Sequence, residues 1–165
     1  MRTATVLSAV LAGSLSFGAA SLQAQSATIQ ATATVLSAIT VTGTDLAFGS
    51  VTPGVNKTIA ITDAGAGVFT VTKAAATSVA LTFTLPATLT GPAAATMPIG
   101  SWTGGWNNAA ANAAGATTFT PSAAAATVPS GGANLWVWVG GTVSPAGAQA
   151  AGAYTGSVSM QVVYL

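Results

Sequence analysis

The sequence has no cysteine, no histidine and no glutamate, and its charged side chains are Arg2, Lys57 and Lys73 against Asp45 and Asp63. Each absence removes a class of function. Zinc, copper and iron centres draw on imidazole or thiolate ligands, and a calcium cage takes several carboxylates from one short loop, so no metal site is expected. General acid–base chemistry needs paired titratable groups, and the two aspartates lie far apart in the chain. A serine or threonine nucleophile needs a base to activate it, and no hydroxyl residue stands in a recognisable nucleophile motif. The expectation is a protein that is not an enzyme and has no cofactor. Binding a nucleic-acid backbone needs clustered Lys and Arg, because the affinity comes from displacing counterions, and two lysines beyond Arg2 do not supply it.

With 165 residues the chain is long enough for one domain with a hydrophobic core. Only 3% of the residues are charged, so the surface lacks the repulsion that normally keeps monomers apart. That composition fits assembly with further copies of itself. It also fits a weakly charged secreted protein kept soluble by Thr, Ser, Asn and Gln.

Residues 1–24 read as a secretory signal peptide: Arg2 near the start, an apolar stretch from Val6 to Ala20, then small residues toward Leu22-Gln23-Ala24. Cleavage is expected after Ala24, with Ala20 as the alternative. Removing this piece leaves two bases and two acids. No later segment offers the roughly 18 apolar residues of a membrane span, so export through the periplasm without stable membrane insertion is expected.

Residues 25–36 read as an N-terminal extension ahead of a domain at 37–165. From Ala27 to Val35 the chain alternates, with Ala27, Ile29, Ala31, Ala33 and Val35 on one face and Thr28, Gln30, Thr32 and Thr34 on the other. This period of two predicts a strand, although alternation alone does not say whether its partner is in the same chain or another. Further strands are predicted at Ile39–Thr42, Thr58–Thr62, Val68–Thr72, Val79–Leu85, Leu135–Val143 and Tyr154–Tyr164. Turn residues separate them, a pattern that indicates an all-β sandwich. The stretch from Gly91 to Gly132, rich in Ala, Gly, Pro and Asn, reads as mostly loop with short edge strands. On the last strand Tyr154, Gly156, Val158, Met160, Val162 and Tyr164 share the face expected to pack into the core.

Gly152 is the fourteenth residue from the C-terminus and Tyr164 the penultimate one. This ending resembles that of chaperone–usher pilins. Asp45-Leu46-Ala47-Phe48-Gly49-Ser50-Val51, Val139-Gly140-Gly141-Thr142 and Ala151-Gly152-Ala153-Tyr154-Thr155-Gly156 are, in that order, similar to the DUF4402 family, relatives of spore-coat-U-like secreted proteins. The likeness covers roughly residues 31–165, and the chain departs from many pilins in lacking a cysteine pair. The resemblance implies an immunoglobulin-like, pilin-like sandwich that lacks one strand and is completed by a donor strand. It further implies a structural subunit of an extracellular fibre whose partner is itself, with the odd face of Ala27–Val35 as donor. Gly152, Tyr154, Val158, Met160, Val162 and Tyr164 would then form the core face that a periplasmic chaperone pairs with during export, before an outer-membrane usher.

Trp136 and Trp138 alternate with Val137 and Val139, so both faces of that strand are expected to be covered, a subunit contact being one possible cover. Trp102 and Trp106 flank Thr103-Gly104-Gly105 and precede Asn107 and Asn108. Such a set could stack on a sugar ring and bond its hydroxyls, which makes a secreted carbohydrate-binding adhesin the rival expectation. Packing into the core or an interface is the simpler role for these tryptophans.

Overall fold

The computed structural model describes residues 27–165, and the predicted signal peptide lies outside them. The chain divides between Thr34 and Val35. In the first unit the described residues 27–34 form no helix or strand and are exposed. The predicted strand at Ala27–Val35 therefore does not form within the molecule. Its alternation supplies one apolar face, but a strand also needs ladder bonds to a neighbour, and none is made there.

The second unit is all-β and antiparallel. Its strands are β1 (Thr40–Thr44), β2 (Lys57–Ile59), β3 (Gly67–Thr72), β4 (Val79–Thr84), β5 (Thr88–Thr90), β6 (Thr96–Asn107), β7 (Thr117–Phe119), β8 (Ala126–Val128), β9 (Asn134–Val143) and β10 (Ser159–Tyr164). The larger sheet runs β1-β3-β9-β6-β5, with β2 beside β9 and β7 beside β6; the smaller runs β10-β4-β8. Among the described residues no helix is long and apolar enough to cross a membrane.

The two sheets share a core. Val71 of β3 and Leu135, Val137 and Val139 of β9 pack against Val79, Leu81 and Phe83 of β4 and Val128 of β8. Phe83 meets Phe69 edge-on, with ring centroids 6.5 Å apart, and Phe119 at 5.6 Å. The opposite face of β9 is covered as well, since Trp138 is buried with Ile59 and Ala66, and Ile61, Val68 and Trp136 pack around them. Both faces of β9 are thus apolar, as expected, and the chain itself supplies both covers.

Two expectations are corrected. Residues 91–132 hold more than loop and short edge strands: β6 is the longest strand among the described residues and pairs with β9 along most of its length. Its pattern is hidden because the register shifts between Gly100 and Thr103, where Ser101 has a φ of 48°. Met97 and Ile99 face the core before this bulge, while Gly104 and Trp106, opposite Val139 and Val137, take that face after it. The inserted residue changes the phase from odd to even.

The last strand is also shorter than predicted. β10 begins at Ser159, and the preceding stretch makes only an isolated bridge between Thr155 and Thr90. Gly152, with a φ of 142°, turns the chain there, and the Gly156 backbone lies so close to Leu89 that a Cβ would come within 2.7 Å of it. Of the predicted core face, Met160, Val162 and Tyr164 lie on β10, and Gly152, Tyr154 and Val158 precede it.

Gly140, on the buried strand β9, allows another close approach. A Cβ there would overlap the Ile59 carbonyl oxygen and lie 2.9 Å from the Thr103 hydroxyl. Gly140→Ala is expected to cost about 1–3 kcal/mol in overpacking, read as a lower denaturant midpoint with an unchanged slope.

A candidate groove between two free strand edges

Each sheet ends in a strand with one unpaired edge. β1 pairs only with β3, and β10 only with β4, among the described residues. The inner side chains of these strands are incompletely covered. Val41 stands opposite Val71 in the ladder and so points to the core side, yet it is 41% exposed where Val71 is fully buried. Met160, Val162 and Tyr164 pack against the core but are only half-buried, and so is Phe69. These apolar side chains, aimed inward and left partly open, make this stretch of the core accessible from outside.

Next to this opening lies a cavity of about 920 Å³. Its floor comes from Phe69 of β3, Met97 and Ile99 of β6, and Val139 and Val143 of β9; Leu89 of β5 also lines it. Gly43 and Thr44, the end of β1, line it too, as do Gly156 and Val158, which lead into β10.

The segment Asp45–Val51 forms a strap along the same cavity. The Ala47 amide donates to the Gly65 carbonyl at 2.8 Å, and Lys57 Nζ donates to the Ser50 carbonyl at 3.0 Å. These bonds hold Leu46 and Phe48 half-buried against the sheet. Tyr154 also lines the cavity, its hydroxyl accepting from Gln149 Nε2 at 2.6 Å and donating to the Ala150 carbonyl at 2.8 Å. Among the described residues Asp45 is the charged residue of this lining. The other carboxylate, Asp63, accepts from the Ala60 amide at 2.8 Å and so fixes a turn elsewhere. What the arrangement offers chemically is apolar burial beside unpaired backbone donors and acceptors.

Tyr164 ties the two edges together at one end. Its hydroxyl accepts from the Ala74 amide at 2.6 Å and donates to the Ser37 carbonyl at 2.9 Å. The turn that Ala74 opens is fixed from beneath by Lys73, whose buried ammonium donates to the Thr77 carbonyl at 2.8 Å.

Residues 11–164 match the family model described as a domain of unknown function, DUF4402. The chain belongs to the DUF4402 family. No curated relative and no solved structure matches it.

The residues singled out from sequence fall in three places in this DUF4402 protein. Ala27, Ile29, Ala31, Ala33 and Val35 are exposed and unpaired, with Ile29 96% and Val35 94% accessible. Tyr154 and Val158 line the cavity with Gly152, while Met160, Val162 and Tyr164 border the opening.

Trp102 and Trp106 are half-buried on β6, packed against the core. Asn107 Oδ1 accepts from the Ala109 and Ala110 amides at 2.9 and 3.1 Å, and Asn108 Nδ2 donates to the Pro129 carbonyl at 3.3 Å. These side chains build the loop after β6. Sequence reasoning missed Val41, Phe69, Met97 and Ile99 as groove residues. Alternation flagged inward faces, but which inward residues lack a cover depends on how the two sheets overlap.

Proposed function

We propose that this DUF4402 chain is a structural subunit of an extracellular fibre, and that it polymerises by placing residues 27–35 of one copy in the groove of the next. The single observation that carries this reading is the pair of free edges, β1 and β10, flanking inward side chains that remain half-open. An added strand would satisfy both deficits at once. It would pair with edge N–H and C=O groups, at about 0.5–1.5 kcal/mol net for each bond, and cover apolar area at about 25 cal/mol per Å².

The segment 27–35 has the matching chemistry: one apolar face, one hydroxyl-rich face, full exposure and no charge. Its mostly small alanines suit a shallow groove. On this reading the two sheets are an immunoglobulin-like sandwich one strand short. Export through the periplasm follows from the N-terminal pattern. A chaperone would occupy the groove until an usher delivers the subunit to the surface, as in the pilins that the C-terminus resembles.

The test compares the mature chain with one starting at Leu36. The mature chain is expected to form filaments by electron microscopy and ladders that survive detergent. The shortened chain should stay monomeric and gain thermal stability when a peptide of residues 27–35 is added, because a ligand that binds only the folded state raises its melting point. Equal, monomeric behaviour of both, with no response to the peptide, rejects the reading.

A further inference from the structure

The bond between Tyr164 and Ser37 bears on how rigid such a fibre would be, an inference that rests on the reading above. Tyr164 sits on β10 in the smaller sheet, and Ser37 precedes β1 in the larger one. The phenol donates to the Ser37 carbonyl at 2.9 Å while accepting from the Ala74 amide at 2.6 Å, and its ring packs on the core. The stretch leading into β1 is therefore pinned to the body of the domain before any regular structure begins. Ile39, just ahead of β1, is also packed against the core.

If a neighbour holds the chain through Val35, and its own domain holds it from Ser37 onward, only Leu36 remains between the two grips. We infer that Tyr164 makes the joint between successive subunits a single-residue hinge, so that each subunit sets the orientation of the next and the fibre is stiff. The partner is a second copy of this chain. Tyr164 is a positioning residue here: it does not enter the neighbour's groove, and acts by fixing where the donor segment leaves the body. A joint with two soft dihedrals has few ways to bend, whereas losing the pin frees Ser37 and Ala38 as well. Pinning also means that less backbone freedom is lost at each addition, so assembly is faster than with a loose root.

The experiment compares the wild-type chain, Tyr164→Phe and a chain with Gly-Gly inserted between Leu36 and Ser37. Tyr164→Phe keeps the ring in the core and removes both hydroxyl bonds. The insertion keeps Tyr164 and all its bonds and lengthens only the hinge, so it remains informative if the phenylalanine variant folds poorly. The readouts are persistence length by electron microscopy, assembly rate by light scattering, and affinity for the free 27–35 peptide.

Both variants are expected to give fibres with a persistence length at least threefold shorter, assembling several-fold more slowly, and the insertion variant should keep its peptide affinity within about twofold of wild type. If Tyr164 serves only the fold, Tyr164→Phe fibres stay as stiff as wild type while the insertion fibre softens, which overturns the inference. Fibres of equal stiffness in all three also overturn it. A wild-type chain that neither binds the peptide nor assembles instead removes the fibre reading itself.

Discussion

Replacing Ile29 and Val35 together by aspartate is expected to slow self-assembly at least about a hundredfold while leaving the monomer's melting temperature unchanged. Both side chains are almost fully accessible. Neither is in a strand or touches the core, so the folded monomer should tolerate the change, as surface positions of this kind usually do within about 0.5 kcal/mol.

The inserted state is different. Each aspartate would sit on the face directed at Phe69, Ile99 and Val139, where no cation among the described residues lines the cavity to pair with it. Burying an unpaired carboxylate costs several kcal/mol, and every 1.4 kcal/mol is about a factor of ten in affinity. The matching change on the other face, Thr28 and Thr32 to aspartate, should be far milder, because that face would remain in water. Light scattering of the purified chains separates the two outcomes. Assembly at the wild-type rate in the Ile29 and Val35 variant would mean that this face does not enter a groove.

The strands that were legible in the sequence are those whose large apolar residues keep one phase. In β4, Val79, Leu81 and Phe83 alternate without interruption, and all three are buried. In β9 the apolar residues are continuous, and the structure accounts for this by covering both faces.

β6 was hidden for a physical reason: its bulge moves the inward face from Met97 and Ile99 to Gly104 and Trp106, and glycine on the inward face carries no hydrophobic signal. The chain before β10 misled in the opposite direction. Tyr154 and Val158 fall in phase with Met160, yet the backbone at Gly152 turns away from the ladder, a feature that period alone does not encode. The groove was legible only as a tendency. An exposed alternating segment and a C-terminal strand both have inward faces in the sequence, and which of them lacks a partner emerges only once β1 and β10 are seen at the ends of their sheets.

Leu81→Ala is expected to produce the largest loss of stability in the domain. Leu81 is fully buried at the centre of β4, opposite Val162 of β10 and Ala126 of β8. It belongs to the cluster through which the smaller sheet meets Val71, Leu135 and Val137 of the larger. Truncating a buried leucine costs about 2–5 kcal/mol, from lost transfer energy and the cavity left behind.

The upper half of that range is expected here because the smaller sheet has little to redistribute. Among the described residues it has three strands, and β10 has no sheet neighbour except β4. A void beside Val162 would loosen the β10 side of the groove, where Met160, Val162 and Tyr164 are already only half-buried. In thermal denaturation the variant should melt about 10 °C or more below wild type.

Val163→Ala provides the contrast. It lies on the neighbouring strand β10, opposite Ala80 of β4; its side chain is 48% exposed, and its cost should stay within about 0.5 kcal/mol. If the two substitutions prove equally mild, the sheets are not held together through Leu81. The contacts that join them must then be carried by other members of the same cluster, such as Phe83 and Val128.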